Sequence, residues 1–243
     1  MLAYEDHYDF AKARRMHEER ATQQYLMFRT VERDDEPVLA EAEGQNYLNY
    51  NKASWVFWGM RHMIGNEPIQ HAVKRFLTEY HGTKGAPYPT TLELIDILKE
   101  ETDPKYHQLI EDYWNKITFW DLSFTDDIKV TAKGNKFDIS IPIKLDKKYA
   151  SEEDGKETSV TEIDDANLNE WVEIGFYTED PKDDLGANPF TTRIVQLGQA
   201  ETVQDFTLEK RPTHIVLDPK RALIERNIKD NVKELPKKLA SAE

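Results

Sequence analysis

Cysteine is absent from all 243 residues, which removes disulfides, thiolate-ligated zinc or iron–sulfur centres and any thiol nucleophile. Basic residues are in the minority, 32 against 46 acids for a formal charge of −14. That balance argues against nucleic acid as a partner, because phosphate neutralisation needs clustered Lys and Arg. Long apolar runs are lacking too. The densest, Ala53 to Met60, stops at Arg61, well short of the roughly 20 residues that cross a bilayer. The start, Met-Leu-Ala-Tyr-Glu-Asp-His, has neither the basic end nor the apolar core of a signal peptide. These absences predict a soluble segment with no membrane span of its own. What is present is a globular composition: 39% apolar and 11% aromatic residues, too much for a disordered chain.

Periodicity divides the chain into an α+β arrangement, helical over 1–118, a β-domain over 119–233 and a flexible tail over 234–243. Met1 to about Thr30 is rich in helix formers, with Tyr4, Tyr8 and Ala11 on one face and Tyr25 and Phe28 later. Val31–Gly44 is acidic, holds Pro37 and reads as a loop. Ala53, Val56, Phe57, Met60 and Ile64 keep helical spacing, and Trp55 and Trp58 load the other face, predicting a helix buried nearly all round. Gly65 ends it, and Asn66 is placed to cap a helix striped by Ile69, Val73, Phe76, Leu77 and Tyr80. Thr90-Thr91-Leu92-Glu93 has capping-box spacing. Asp103-Pro104 opens a fourth helix carrying Tyr106, Leu109, Ile110, Tyr113, Trp114 and Ile117.

Beyond residue 118 the pattern alternates. Phe137, Ile139, Ile141, Ile143 and Leu145 form one face of a strand in which Pro142 hints at an edge or bulge. Further strands are predicted at Val172–Phe176, Ile194–Leu197, Phe206–Leu208 and Ile215–Leu217, with Ile128–Ala132 and Ser159–Ile163 as additions. Five to seven short strands over about 110 residues suggest an immunoglobulin-like sandwich. The insertions 146–166 and 179–189 are strongly polar and read as solvated loops. Asp180, Asp183 and Asp184 are conceivable calcium ligands, but EF-hand spacing is missing.

Chemistry-bearing motifs are scarce. None of the seven histidines, His7, His17, His62, His71, His81, His107 and His214, has a partner at zinc-ligand spacing. His17-Glu18-Glu19-Arg20-Ala21 imitates half of a zinc helix without its second His. There is no Gly-x-Ser-x-Gly, Walker or Gly-x-Gly-x-x-Gly motif. By these residues alone the chain has no self-contained active site, and metal ligands number none.

Several segments taken in order resemble one family. Gln45-Asn46-Tyr47-Leu48-Asn49-Tyr50-Asn51-Lys52-Ala53 looks like the Tyr-x-Lys-Gly segment of the zinc aminopeptidases of peptidase family M1. The aromatic helix, Ile64-Gly65-Asn66-Glu67, Pro87-Tyr88-Pro89-Thr90-Thr91-Leu92-Glu93-Leu94 and Ile110-Glu111-Asp112-Tyr113-Trp114-Asn115-Lys116-Ile117-Thr118 continue the likeness. Asp218-Pro219 and Leu223-Ile224-Glu225-Arg226-Asn227-Ile228-Lys229-Asp230-Asn231 resemble a bacterial branch fused to ABC-permease-like membrane regions. Ala53 stands where the family usually has Gly.

The resemblance implies the helical carboxy-terminal part of a thermolysin-like catalytic domain followed by the sandwich. It implies zinc in a full-length parent, held by two His and a Glu that lie upstream of Met1, with none bound by this chain alone. Tyr50 matches the family's Tyr and takes the role of hydrogen-bonding the oxyanion. A phenol suits that task, since it donates while staying neutral at pH 7. The partners implied are a peptide substrate and the missing catalytic lobe, in a parent compatible with an integral membrane protein. The expected function is that of a fragment of an aminopeptidase, inactive alone; the alternative is a non-catalytic protein-binding or scaffolding module.

Overall fold

A computed structural model of the chain describes residues 12, 21–31, 35–82, 84–163, 168–181 and 188–236. It is a mixed helix-and-sheet, α+β protein, and its described residues fall into two compact units. The first comprises His17–Thr118 with Tyr149–Glu157; the second contains Phe119–Lys148 and Thr158–Glu243. Among the described residues no helix is long and apolar enough to cross a membrane. The predicted positions Tyr4, Tyr8 and Ala11, along with His7 and His17, lie outside the described residues.

The first unit is helical. Its elements are α1 (Gln23–Val31), α2 (Ala53–Ile64), α3 (Asn66–Tyr80), α4 (Thr91–Glu101) and α5 (His107–Trp114). Helix α2 buries Trp55, Val56, Trp58, Met60 and Met63, so the aromatic load on both faces is accommodated inside. Phe57 meets Trp114 of α5 edge to face at 5.6 Å. Gly65 serves both α2 and α3, with φ 103°, a conformation that a side chain would strain. Asn66 is therefore the first helical residue of α3 and not its cap. Helix α3 rests on a narrower stripe than its spacing suggests: Ile69 and Ala72 are buried while Leu77 faces solvent. Asp103 accepts from the Lys105 backbone N–H at 3.0 Å and opens a 3₁₀ turn, Pro104–Tyr106, ahead of α5. Ile117 lies beyond that helix, at the start of a strand.

The capping box of α4 forms as its spacing predicts. The Leu92 N–H donates to the Thr90 hydroxyl at 3.2 Å, and the Thr90 N–H donates to the Glu93 carboxylate at 2.7 Å. Hydrogen bonds from the Thr90 hydroxyl and backbone hold Glu93 below the usual glutamate range. A carboxyl whose folded pKa is depressed stabilises the fold above its ordinary value and loses that contribution as pH falls through the depressed one. The first turn of α4 is therefore expected to fray on acidification below about pH 4. Amide exchange at Thr90 and Leu92 reads this directly, and protection independent of pH would contradict it.

The second unit carries the sheets. One consists of β1 (Ile117–Phe124), β2 (Lys129–Lys133), β3 (Lys136–Ala150), β4 (Glu157–Ser159) and β7 (Glu201–Leu208), all pairing on β3. The other runs β6 (Thr191–Leu197), β5 (Glu170–Tyr177), β8 (His214–Leu217), β9 (Val232–Glu234). The alternating face of β3 is buried at Ile139, Ile141, Ile143 and Leu145. Pro142 is not on an edge; it pairs with Val203 in unbroken register with β7 in the middle of the most connected strand, and its carbonyl accepts from the Thr125 N–H at 3.3 Å.

Two polar segments depart from their sequence reading. Residues 146–150 of the first insertion continue β3, and Lys147, keeping the parity of the buried positions, is fully buried against Glu170. The Ser159–Ile163 segment is a short strand and then a 3₁₀ turn, Val160–Glu162. At the far end β9 reaches Glu234, and buried Leu235 donates its N–H to the Thr213 carbonyl at 2.8 Å. Gly175 in β5 has no room for a side chain, since a Cβ there would meet the Tyr177 ring at 2.9 Å and Pro219 at 3.1 Å.

Candidate functional site around Tyr50

Tyr50 sits in a π-helical turn, Tyr47–Lys52, that runs straight into α2. A wider i→i+5 turn is rare and often found where a helix serves a function. Its consequence here is an outward Tyr50, 71% exposed, two residues before an inward Lys52, 1% exposed. The phenol thus contributes nothing to the core, while its neighbours Tyr47 and Leu48 are buried. Asn51 ties the turn to α1 by donating to the Gln24 side-chain oxygen at 3.0 Å.

Lys52 is anchored by a carboxylate that the sequence hides in an acidic loop. Glu36, 6% exposed, receives the Tyr25 hydroxyl at 2.7 Å and the Lys52 ammonium at 3.4 Å, and pairs with the Arg29 guanidinium. The Tyr25 ring stacks on Tyr47 at 6.2 Å and meets Trp55 edge-on at 6.3 Å. Burial, reinforced by Glu36, drives the Tyr25 phenol well above its ordinary value, so it remains a donor. Burial lowers the Lys52 pKa, and Glu36 opposes the shift. Taking an ammonium out of water is costly unless it is paired and hydrogen-bonded, so one carboxylate serving three donors is what lets Lys52 point inward. The Glu36 backbone is itself fixed by its N–H bond to the Glu152 carbonyl at 3.1 Å. Glu36 was invisible to spacing rules; the one local sign was an acid beside Pro37 within reach of Arg29.

The described histidines do not converge. His62 packs against Trp58 at 4.4 Å, His107 Nε2 lies 2.9 Å from the Lys99 carbonyl, and His71 is largely exposed near Glu101. His214 is 3.8 Å from Asp180, whereas Asp183 and Asp184 lie outside the described residues. Among the described residues the single group of acids and histidines close enough to share an ion is Asp121, Glu225 and Asp230. An all-carboxylate set with no imidazole or thiolate is not a zinc site of the usual kind. No step through zinc is therefore assigned to residues of this chain. No protein-family model matches the chain, and no curated protein matches it.

Proposed function

We propose that this chain is the carboxy-terminal part of a family M1-like aminopeptidase, a thermolysin-like helical region followed by an immunoglobulin-like sandwich, with Tyr50 as its contribution to the chemistry. The observation that carries the reading is a phenol presented to solvent from a π-turn whose next-but-one residue is locked inward. A tyrosine kept for packing would be buried; this one is held in place by its neighbours and left open. When water adds to a scissile carbonyl, negative charge gathers on the carbonyl oxygen. A positioned neutral donor stabilises it more in the transition state than in the ground state. Zinc and its ligands belong, in this reading, to a lobe supplied by a longer parent.

The test has two arms. The 243 residues alone, given zinc and leucine or alanine anilides, are expected to show no turnover. In the parent enzyme Tyr50→Phe is expected to lower kcat by about 10²–10³. KM and stability should change little, stability by less than about 0.5 kcal/mol, because the side chain is exposed. Zinc-dependent turnover by this chain alone, or a parent indifferent to Tyr50→Phe, overturns the proposal. Indifference would leave the binding-module reading in front.

A further inference from the structure

The second unit contains an oxygen-rich cluster that the aminopeptidase reading does not use. It is built where β1 meets the long segment between β8 and β9. The Trp120 N–H donates to the Ile224 carbonyl at 3.0 Å, and the Leu122 N–H donates to the Glu225 carboxylate at 2.7 Å. Asp121, between these two residues, is therefore set beside Glu225. Asp230 comes from the end of the same segment, one residue before Asn231, whose carbonyl receives the Leu217 N–H at 2.9 Å. Asp121, Glu225 and Asp230 each offer an oxygen, all within 4.8 Å of one another. Two ligands on one calcium ion are at most about 5.2 Å apart, and on magnesium about 4.2 Å, given their usual metal–oxygen distances.

Three acids in proximity prove nothing by themselves. The independent observation is Asn231, which is fully buried and whose side-chain carbonyl oxygen has no hydrogen-bond partner. Its amide nitrogen donates to Glu225 at 2.6 Å. The planar amide group therefore holds the orphaned oxygen within about 5 Å of that carboxylate. A second acceptor at the same place, Asp230 Oδ1, is also buried without a partner, although its other oxygen is held by Asn227 at 2.7 Å. Buried acceptors without donors are rare because desolvation is then uncompensated. Asn231 Oδ1 is thus a further oxygen left without a donor beside the three carboxyl groups, one of which, Asp230, is itself short of a partner. Of the neighbouring bases, Lys220 pairs with Glu173 at 2.9 Å, Lys233 with Asp127 at 3.1 Å, and Arg226 lies over the Phe119 ring at 4.0 Å. Arg221 acts on both Asp218 and Glu225.

We propose that Asp121, Glu225, Asp230 and the Asn231 carbonyl form a calcium site that fastens β1 to the segment between β8 and β9. The donor set is all oxygen, as a hard cation requires, and with Asp121 exposed the remaining positions fall to water. Few protein ligands and an open side place the affinity in the weak class, about 10⁻⁴–10⁻³ M.

Terbium luminescence on the full chain tests this, with Trp120 next to Asp121 as the sensitiser. Saturable emission is expected, displaced by calcium at lower concentration than by magnesium. Asp121→Asn, an exposed change that should fold normally, is expected to weaken binding about tenfold or more, and Asp230→Asn likewise. Asp180→Asn, in the other acidic loop, should leave it unchanged. Absence of saturable emission up to about 10 mM calcium-equivalent, a range set by the weak class, overturns the proposal. So does unaltered binding in Asp121→Asn, or loss of binding in Asp180→Asn.

Discussion

Replacing Glu36 with alanine is expected to cost the helical unit about 3–5 kcal/mol, the range for breaking a buried ion pair from one side. The size follows from what is left behind. Lys52 is 1% exposed and would lose the carboxylate that pairs with it directly. The Tyr25 hydroxyl, fully buried, would lose the Glu36 acceptor, and Arg29 its ion pair with Glu36. Glu36→Gln keeps an oxygen for Tyr25 but removes the countercharge, so an intermediate loss is expected. The control is Glu79→Ala: Glu79 also pairs with an arginine, Arg75 at 2.7 Å, but on an exposed helix face, where such pairs contribute about 0.5 kcal/mol or less. Because the chain has two units, one unfolding curve need not be two-state. Amide exchange in α1 and α2 gives the local value. A loss in Glu36→Ala no larger than in Glu79→Ala would mean that water already reaches Lys52. The same variant bears on the proposed role of Tyr50, since Lys52 is the inward residue of the turn in which Tyr50 faces outward. If that turn relaxes, the aminopeptidase reading proposed above expects a parent enzyme to lose activity through misplacement of the phenol, without any change to the phenol itself.

How far the sequence discloses such features depends on how local their causes are. The α4 capping box spans four residues and is read correctly from their spacing, because each hydrogen bond closes within one turn. The aromatic helix and the alternating strand are legible for the same reason, each being a period imposed by its own backbone geometry. Ile117, a single apolar residue, fits either period, and strand pairing claims it. Leu77 fits the stripe of α3 but nothing covers it enough to bury it, and coverage is not a local property. Glu36, Lys52 and Lys147 mark the limit most clearly. Glu36 and Lys147 sit among charged neighbours and Lys52 in an uncharged polar and aromatic stretch, and the burial of each depends on partners 7 to 23 residues away. For Lys147 a usable signal existed, since it continues the odd-numbered face of Ile139, Ile141, Ile143 and Leu145. The parity of the strand, and not the charge of the side chain, decides its burial. For Asp121, Glu225 and Asp230 there was none, because the first lies some hundred residues from the other two and only the sheet unit's fold brings them together.

Lys147 and Glu170 lead to a prediction with two opposite arms. Both are buried to within 1% of fully, they pair directly, and the Trp120 indole N–H donates to the same carboxylate at 2.8 Å. Glu170→Ala should cost about 3–5 kcal/mol, because the buried Lys147 ammonium loses its directly paired carboxylate inside the sheet unit. Removing both charges should behave differently. In Lys147→Met with Glu170→Leu no charge is desolvated, and exchanges of this kind are often neutral or stabilising by about 1–4 kcal/mol. Against that stands the Trp120 indole, whose buried donor loses its acceptor at a cost of about 1–3 kcal/mol. The two terms nearly offset, so the double variant is expected to lie within about 2 kcal/mol of the unaltered chain, well above Glu170→Ala. Denaturant midpoints followed by amide exchange in β3 and β5 give the ranking. If the double variant is as unstable as the single one, simple desolvation is not the reason the pair is there. A role in fixing the register of β3, whose neighbouring residues are a long polar run, would then be the better account, and strand pairing in the double variant should show slippage beyond Leu145.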